Sequence, residues 1–135
     1  MATFPLELVT PEKVMFAEEV QAIRAPGMDG SFGVLAHHAP LLAELTTGLI
    51  KVTRANGFEA FIATSGGFLQ VSRDKVIILA DSAELSDEID VDRARAAADK
   101  ARKLLEVEGG GIDAEALRAE LERAENRLRI AQMKQ

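Results

Sequence analysis

Cysteine, tryptophan and tyrosine are absent from these 135 residues, and histidine occurs only twice. Without thiols there are no disulfides and no thiolate metal sites. Six phenylalanines make up the whole aromatic complement, and acids outnumber bases by 22 to 16. Neither a basic field nor a stacking platform is present, which argues against a nucleic-acid partner. The longest uninterrupted apolar run, Val76 to Ala80, is far too short to span a bilayer. Met1-Ala2-Thr3-Phe4-Pro5 lacks the basic and apolar regions of a signal peptide. The expectation is a chain of cytosolic topology that meets a membrane only through another protein.

What is present falls into two parts that meet near residue 88. Residues 1–88 hold six Lys/Arg against twelve Asp/Glu, whereas residues 89–135 hold ten of each. The first part alternates short β-like runs with Gly and Pro. Leu6 to Val9 alternates and stops at Thr10-Pro11; Val14 to Phe16 and Glu19 to Arg24 follow as two further strands. Pro26-Gly27-Met28-Asp29-Gly30 reads as a turn-rich break. Ser31 to Leu35, Leu41 to Leu45, Leu49 to Arg54, Phe58 to Thr64, Phe68 to Val71 and Lys75 to Ala80 continue the series, with a hairpin at Ala55-Asn56-Gly57. Eight or nine strands at this spacing fit two packed antiparallel sheets.

The second part is helical. Ile89-Asp90 and Ile112-Asp113 are repeated start signals with Asp as N-cap, and Ile112 is placed to staple onto Leu117. Val91, Ala94, Ala98, Ala101 and Leu105 form one apolar stripe; Leu117, Leu121, Ala124, Leu128 and Ala131 form another. Small residues on one helix receive large ones on the other, predicting an antiparallel pair of helices about 17 to 19 residues long. The corner runs from Glu108 through Gly109-Gly110-Gly111 to Ile112-Asp113, and its glycines make it easy to rearrange. A stripe spent between the helices is not free to face the sandwich, so the arm's hold on the body should be weak. The fold class is α+β: an antiparallel β-sandwich over 1–88, followed by a two-helix hairpin over 89–135.

Several groups invite a chemical reading. His37-His38 suggests a metal, but adjacent side chains on an extended chain point to opposite faces, and no cysteine or third histidine completes a zinc set. Gly30 and Gly33 lack the following helix of a phosphate loop and read as turn glycines. Ser65-Gly66-Gly67 has no His–Asp partners and reads as a tight strand connection. Arg123 and Arg127 share a helix face, as do Arg93 and Lys100 seven residues apart. Two readings stand: a solvated charged surface with Glu120 and other carboxylates as neighbours, or four cations converging on an anion. No catalytic constellation emerges, so the expectation is not an enzyme.

Gly30-Ser31-Phe32-Gly33-Val34-Leu35-Ala36-His37-His38-Ala39-Pro40-Leu41-Leu42, then Ser65-Gly66-Gly67-Phe68-Leu69-Gln70-Val71, then Ile89-Asp90 opening the hairpin, resemble the ε subunits of bacterial F-type ATP synthases. The likeness runs in order along essentially the whole chain. It implies a non-catalytic rotor subunit, peripheral on the cytoplasmic side of the plasma membrane. In that family the sandwich sits at the foot of the central stalk, against the γ subunit and the c-ring. The hairpin can rise along γ toward the α/β catalytic head and inhibit ATP hydrolysis. By the same resemblance, Met28-Asp29-Gly30-Ser31 corresponds to the edge facing the c-ring, with Ser31 where acidic residues also occur, and His37 and His38 lie near γ. Ile89-Asp90-Val91-Asp92-Arg93-Ala94 is similar to the motif by which some of these subunits bind ATP in the folded hairpin. Glu84, Asp90, Arg93, Arg123 and Arg127 fall on matching positions, and Lys100 stands where that pattern has Arg, keeping the charge but losing the planar fork. The implied alternative function is an ATP sensor without hydrolysis, with no cofactor required.

Overall fold

The computed structural model describes residues 2–108 and 113–133. Nine strands precede the helices: β1 (Phe4–Val9), β2 (Val14–Gly27), β3 (Gly30–Leu35), β4 (Leu41–Leu45), β5 (Gly48–Arg54), β6 (Glu59–Thr64), β7 (Gly67–Val71), β8 (Val76–Ala80) and β9 (Ala83–Leu85). Alternation in β1 buries Phe4, Leu6 and Leu8 while Pro5, Glu7 and Val9 turn outward. The same period places Val20, Ile23, Ile50, Val52, Ile62, Leu69 and Ile78 in one shared core between the layers.

The two runs expected around Val14 and Val20 form a single strand of 14 residues. Its first half pairs with β1 and its second with β3 and β5, and the β2–β5 register shifts between Val20 and Ala22. A bend of this kind lets one strand serve both layers. The expected break at Pro26-Gly27 also lies inside β2. Pro26 needs no N–H there, and its carbonyl accepts the Thr46 N–H at 2.8 Å. The turn itself is Met28-Asp29.

The sandwich departs from an all-antiparallel arrangement in one place. Among the described strands, β1 and β8 pair in parallel, with Leu6 opposite Val76 and Leu8 opposite Ile78. The hairpin at Asn56-Gly57 is as expected. Gly57 adopts φ 90°, and the Asn56 side-chain oxygen accepts the Phe58 N–H at 2.9 Å. At Gly67, with φ 141°, an added Cβ would collide with the Leu79 carbonyl, which makes the β7–β8 approach dependent on glycine.

After a short 3₁₀ turn (Ser86–Glu88), α1 (Val91–Glu108) and α2 (Ala114–Ala131) pair side by side, each 18 residues long. Asp90 caps α1 as expected, its Oδ1 accepting the Arg93 N–H at 3.0 Å. Asp113 makes no such side-chain bond at the start of α2. The glycine corner and the Ile112 staple lie outside the described residues. Ala94, Ala98, Ala101 and Ala124 are buried between the helices, whereas Val91 is exposed. Arg102 donates to Glu125 across the pair at 3.3 Å.

The reason given for a weak hold on the body needs correction, because α2 has a second inward face. Ile130 is fully buried in a separate apolar cluster with Ala63 of β6 and Ile89, flanked by Leu49, Phe61 and Met133. One turn away, buried Asn126 donates from Nδ2 to the Gly48 carbonyl at 3.0 Å, and its Oδ1 accepts from Arg129 Nη2 at 2.7 Å. The sequence stripe counted only apolar residues, so a face made of one isoleucine and one asparagine escaped it.

Candidate functional site

Five side chains from three elements converge where the hairpin meets the sandwich. Residues three and four apart share a helix face, so α2 presents Arg123, Asn126 and Arg127 together. The first turn of α1 adds Arg93, and β9 adds Glu84. These residues line a cleft of about 500 Å³, within the range of small-ligand sites. Its other walls include the β1–β2 loop (Thr10, Pro11, Glu12, Lys13) and the polar residues Ser65, Asp81 and Ser82.

Arg127 is committed within this cleft. Its Nη2 donates to Glu84 Oε2 at 3.2 Å, and its Nε lies 2.6 Å from Oε1, a charge contact without hydrogen-bond direction. Both side chains are about one-third exposed or less. Arg93 and Arg123 make no ion pair among the described residues. Asp90 is present only as the α1 cap, and Lys100 lies farther along α1 without lining the cleft. The structure therefore brings together Glu84, Arg93, Arg123 and Arg127 and leaves Asp90 and Lys100 outside the wall. Arginines around one open cleft suit an anion with several charged oxygens, since each offers a planar fork.

The residues expected to meet partners lie on the sandwich, apart from this cleft. Met28, Asp29, Gly30 and Ser31 form the exposed β2–β3 turn, with Gly30 at φ 124°. His37 and His38 are also exposed, but beyond the other end of β3. His37 takes φ 66°, and His38 Nδ1 sits 2.6 Å from the Ala39 carbonyl. Among the described residues no three His, Cys, Asp or Glu side chains gather to hold a metal ion. The sequence reading missed an apolar outer face. Leu42, Phe68 and Leu79 on β4, β7 and β8 are 69%, 49% and 56% exposed, and Phe68 lies directly opposite Leu79. The signal was available in the unbroken run Val76 to Ala80, which makes both faces of β8 apolar.

Two family descriptions match the chain end to end. Residues 3–86 match "ATP synthase, Delta/Epsilon chain, beta-sandwich domain", and residues 87–132 match "ATP synthase, Delta/Epsilon chain, long alpha-helix domain". The chain belongs to the ATP synthase delta/epsilon family. Among its relatives, the ATP synthase epsilon chain of Desulforamulus reducens is 42% identical over 127 residues, covering 94% of this chain and 96% of that one. The epsilon chain of Moorella thermoacetica is 44% identical over 131 residues, covering 97% and 98%. A chain of the Euglena gracilis mitochondrial ATP synthase, solved as OSCP/F1/c-ring, superposes with a TM-score of 0.80 at 26% identity, over 93% of this chain and 79% of that one. A chain of the Tetrahymena thermophila mitochondrial ATP synthase central stalk/c-ring shares the fold at 16% identity with a TM-score of 0.62, over 97% and 98%. Members of this family are non-catalytic stalk subunits of a membrane-associated rotary complex, and the chain takes that role. No helix among its described residues is long and apolar enough to cross a membrane.

Proposed function

We propose that the chain regulates ATP hydrolysis within the stalk, with a hairpin that alternates between two positions. Docked, α2 lies on β5 and β6, and ATP in the seam cleft holds it there. Raised, the helices reach the α/β catalytic head and inhibit hydrolysis. The observation that carries this reading is the gathering of Arg93, Arg123, Arg127 and Glu84 in a cleft lined by both helices and the sandwich. A multiply charged ligand at such a seam stabilises the docked state by the difference in its affinity for the two positions.

The sandwich in this reading seats the subunit on γ and the c-ring, on the cytoplasmic side of the plasma membrane. The apolar face of Leu42, Phe68 and Leu79 supports γ as its cover, because Leu42 follows the His37-His38 connection by four residues and an exposed apolar face needs an apolar partner. The exposed turn Met28-Asp29-Gly30-Ser31 supports a polar contact with the c-ring. Titration of the isolated chain with ATP tests the nucleotide part. Binding should be measurable and should weaken as salt rises, because the contacts are ionic. Neither heat nor a thermal shift at millimolar ATP would refute nucleotide binding, while leaving the stalk role untouched.

A further inference from the structure

Charge on the cleft wall is more finely balanced than its arginines suggest. Arg93, Arg123 and Arg127 face three carboxylates in the same lining, Glu12, Asp81 and Glu84. Those six charges cancel. The remaining ionisable group of the lining is Lys13, on the loop between β1 and β2, and it alone makes the wall cationic.

We propose that Lys13 is a ligand-binding residue of this cleft, supplying from the sandwich a charge that the helices do not. The inference rests on the nucleotide reading above and adds to it a contact from the body. A phosphate chain held by Arg93 of α1, Arg123 of α2 and Lys13 of the β1–β2 loop ties three elements together. Binding then resists separation of the hairpin from the sandwich, not only of the two helices from each other.

The local geometry supports this role. The loop is shaped without the Lys13 side chain: the Thr10 N–H donates to the Lys13 carbonyl at 2.9 Å, and Thr10 Oγ1 accepts the Lys13 N–H at 3.3 Å. The side chain thus springs from a fixed backbone, and the residue is exposed and lines the cleft. Among the described residues it makes no ion pair, in contrast to Arg127, which Glu84 already engages. Its placement also answers the position of Lys100, which brings no charge to the cleft. A lysine serves a phosphate as a point charge and needs no bidentate geometry.

The test is ATP titration of the full chain by calorimetry at low salt, comparing Lys13→Gln, Lys13→Glu and Lys13→Arg with the unchanged protein. Loss of one exposed charge contact should weaken binding about five-fold in Lys13→Gln. Lys13→Glu should weaken it further, Lys13→Arg should stay within about two-fold, and the thermal midpoint without ATP should not move. Affinities unaltered in Lys13→Gln and Lys13→Glu would overturn the inference. If Arg123→Gln nevertheless lost binding, the nucleotide reading would survive without Lys13. An unchanged chain that binds no ATP would overturn both.

Discussion

Ile130→Ala should release the hairpin without unfolding the body. Ile130 is fully buried, and its neighbours are Ala63 of β6 and Ile89, outside the main core of the sandwich. The substitution removes three side-chain carbons at about 0.8 kcal/mol each, so docking of α2 should lose about 2.4 kcal/mol before any cavity cost. That loss raises the undocked population about fifty-fold. The Asn126 bond to the Gly48 carbonyl and the Arg127–Glu84 pair remain, so docking is weakened, not abolished. Limited trypsin digestion reads the effect, because cleavage after Arg127 and Arg129 follows the open population when opening is fast. Mass spectrometry should show these two cuts accelerating about fifty-fold in Ile130→Ala and about four-fold in Ile130→Val, one methylene smaller. Cuts within and at the end of β5, after Lys51 and Arg54, should keep their rate. Equal acceleration at Lys51 and Arg127 would refute the reasoning, since hairpin and sandwich would then open as one unit. Unchanged cleavage at Arg127 would show that the Ile130 cluster does not hold α2 down.

Arg127→Ala should weaken ATP binding about ten-fold or more, and Arg129→Ala by less than about three-fold. Arg127 lines the cleft, while Arg129 points its guanidinium at Asn126. Lys100→Arg should leave the affinity unchanged within about two-fold, because Lys100 does not line the cleft; calorimetry on the three variants checks the set. Removing residues 89–135 should leave a folded sandwich that co-purifies with γ, and hydrolysis by the reconstituted synthase should rise while synthesis persists. The main core is made from residues 4–80 alone, and a truncated chain lost from the complex would contradict this.

Much of the body is legible in the sequence. The strands around Leu6, Ile50, Ile62 and Ile78, the hairpin at Asn56-Gly57, the Asp90 cap and the alanine stripe of α1 follow from contiguous residues. Period, turn chemistry and capping act within a few positions of the chain, so a local pattern suffices to specify them. The helix face shared by Arg123 and Arg127 is of the same kind.

Tertiary structure decided which of these elements meet. Three residues of β9 carry no period, yet pairing Glu84 opposite Ala63 is what delivers a carboxylate to Arg127. The parallel pairing of β1 with β8 joins segments about 70 positions apart, and no local signal distinguishes it from the antiparallel alternative. Asn126 reads as a polar helix residue until the Gly48 carbonyl lies 3.0 Å away, where burial turns an ordinary amide into a docking contact. Lys13 and Lys100 are equally plausible cations in sequence. The first lies on a loop that the sandwich folds against the seam, and the second lies two turns along a helix that carries it away. Residue type and local period determined what each segment could become. Long-range packing alone determined which charges share a cleft, because proximity between distant segments exists only once the core has closed.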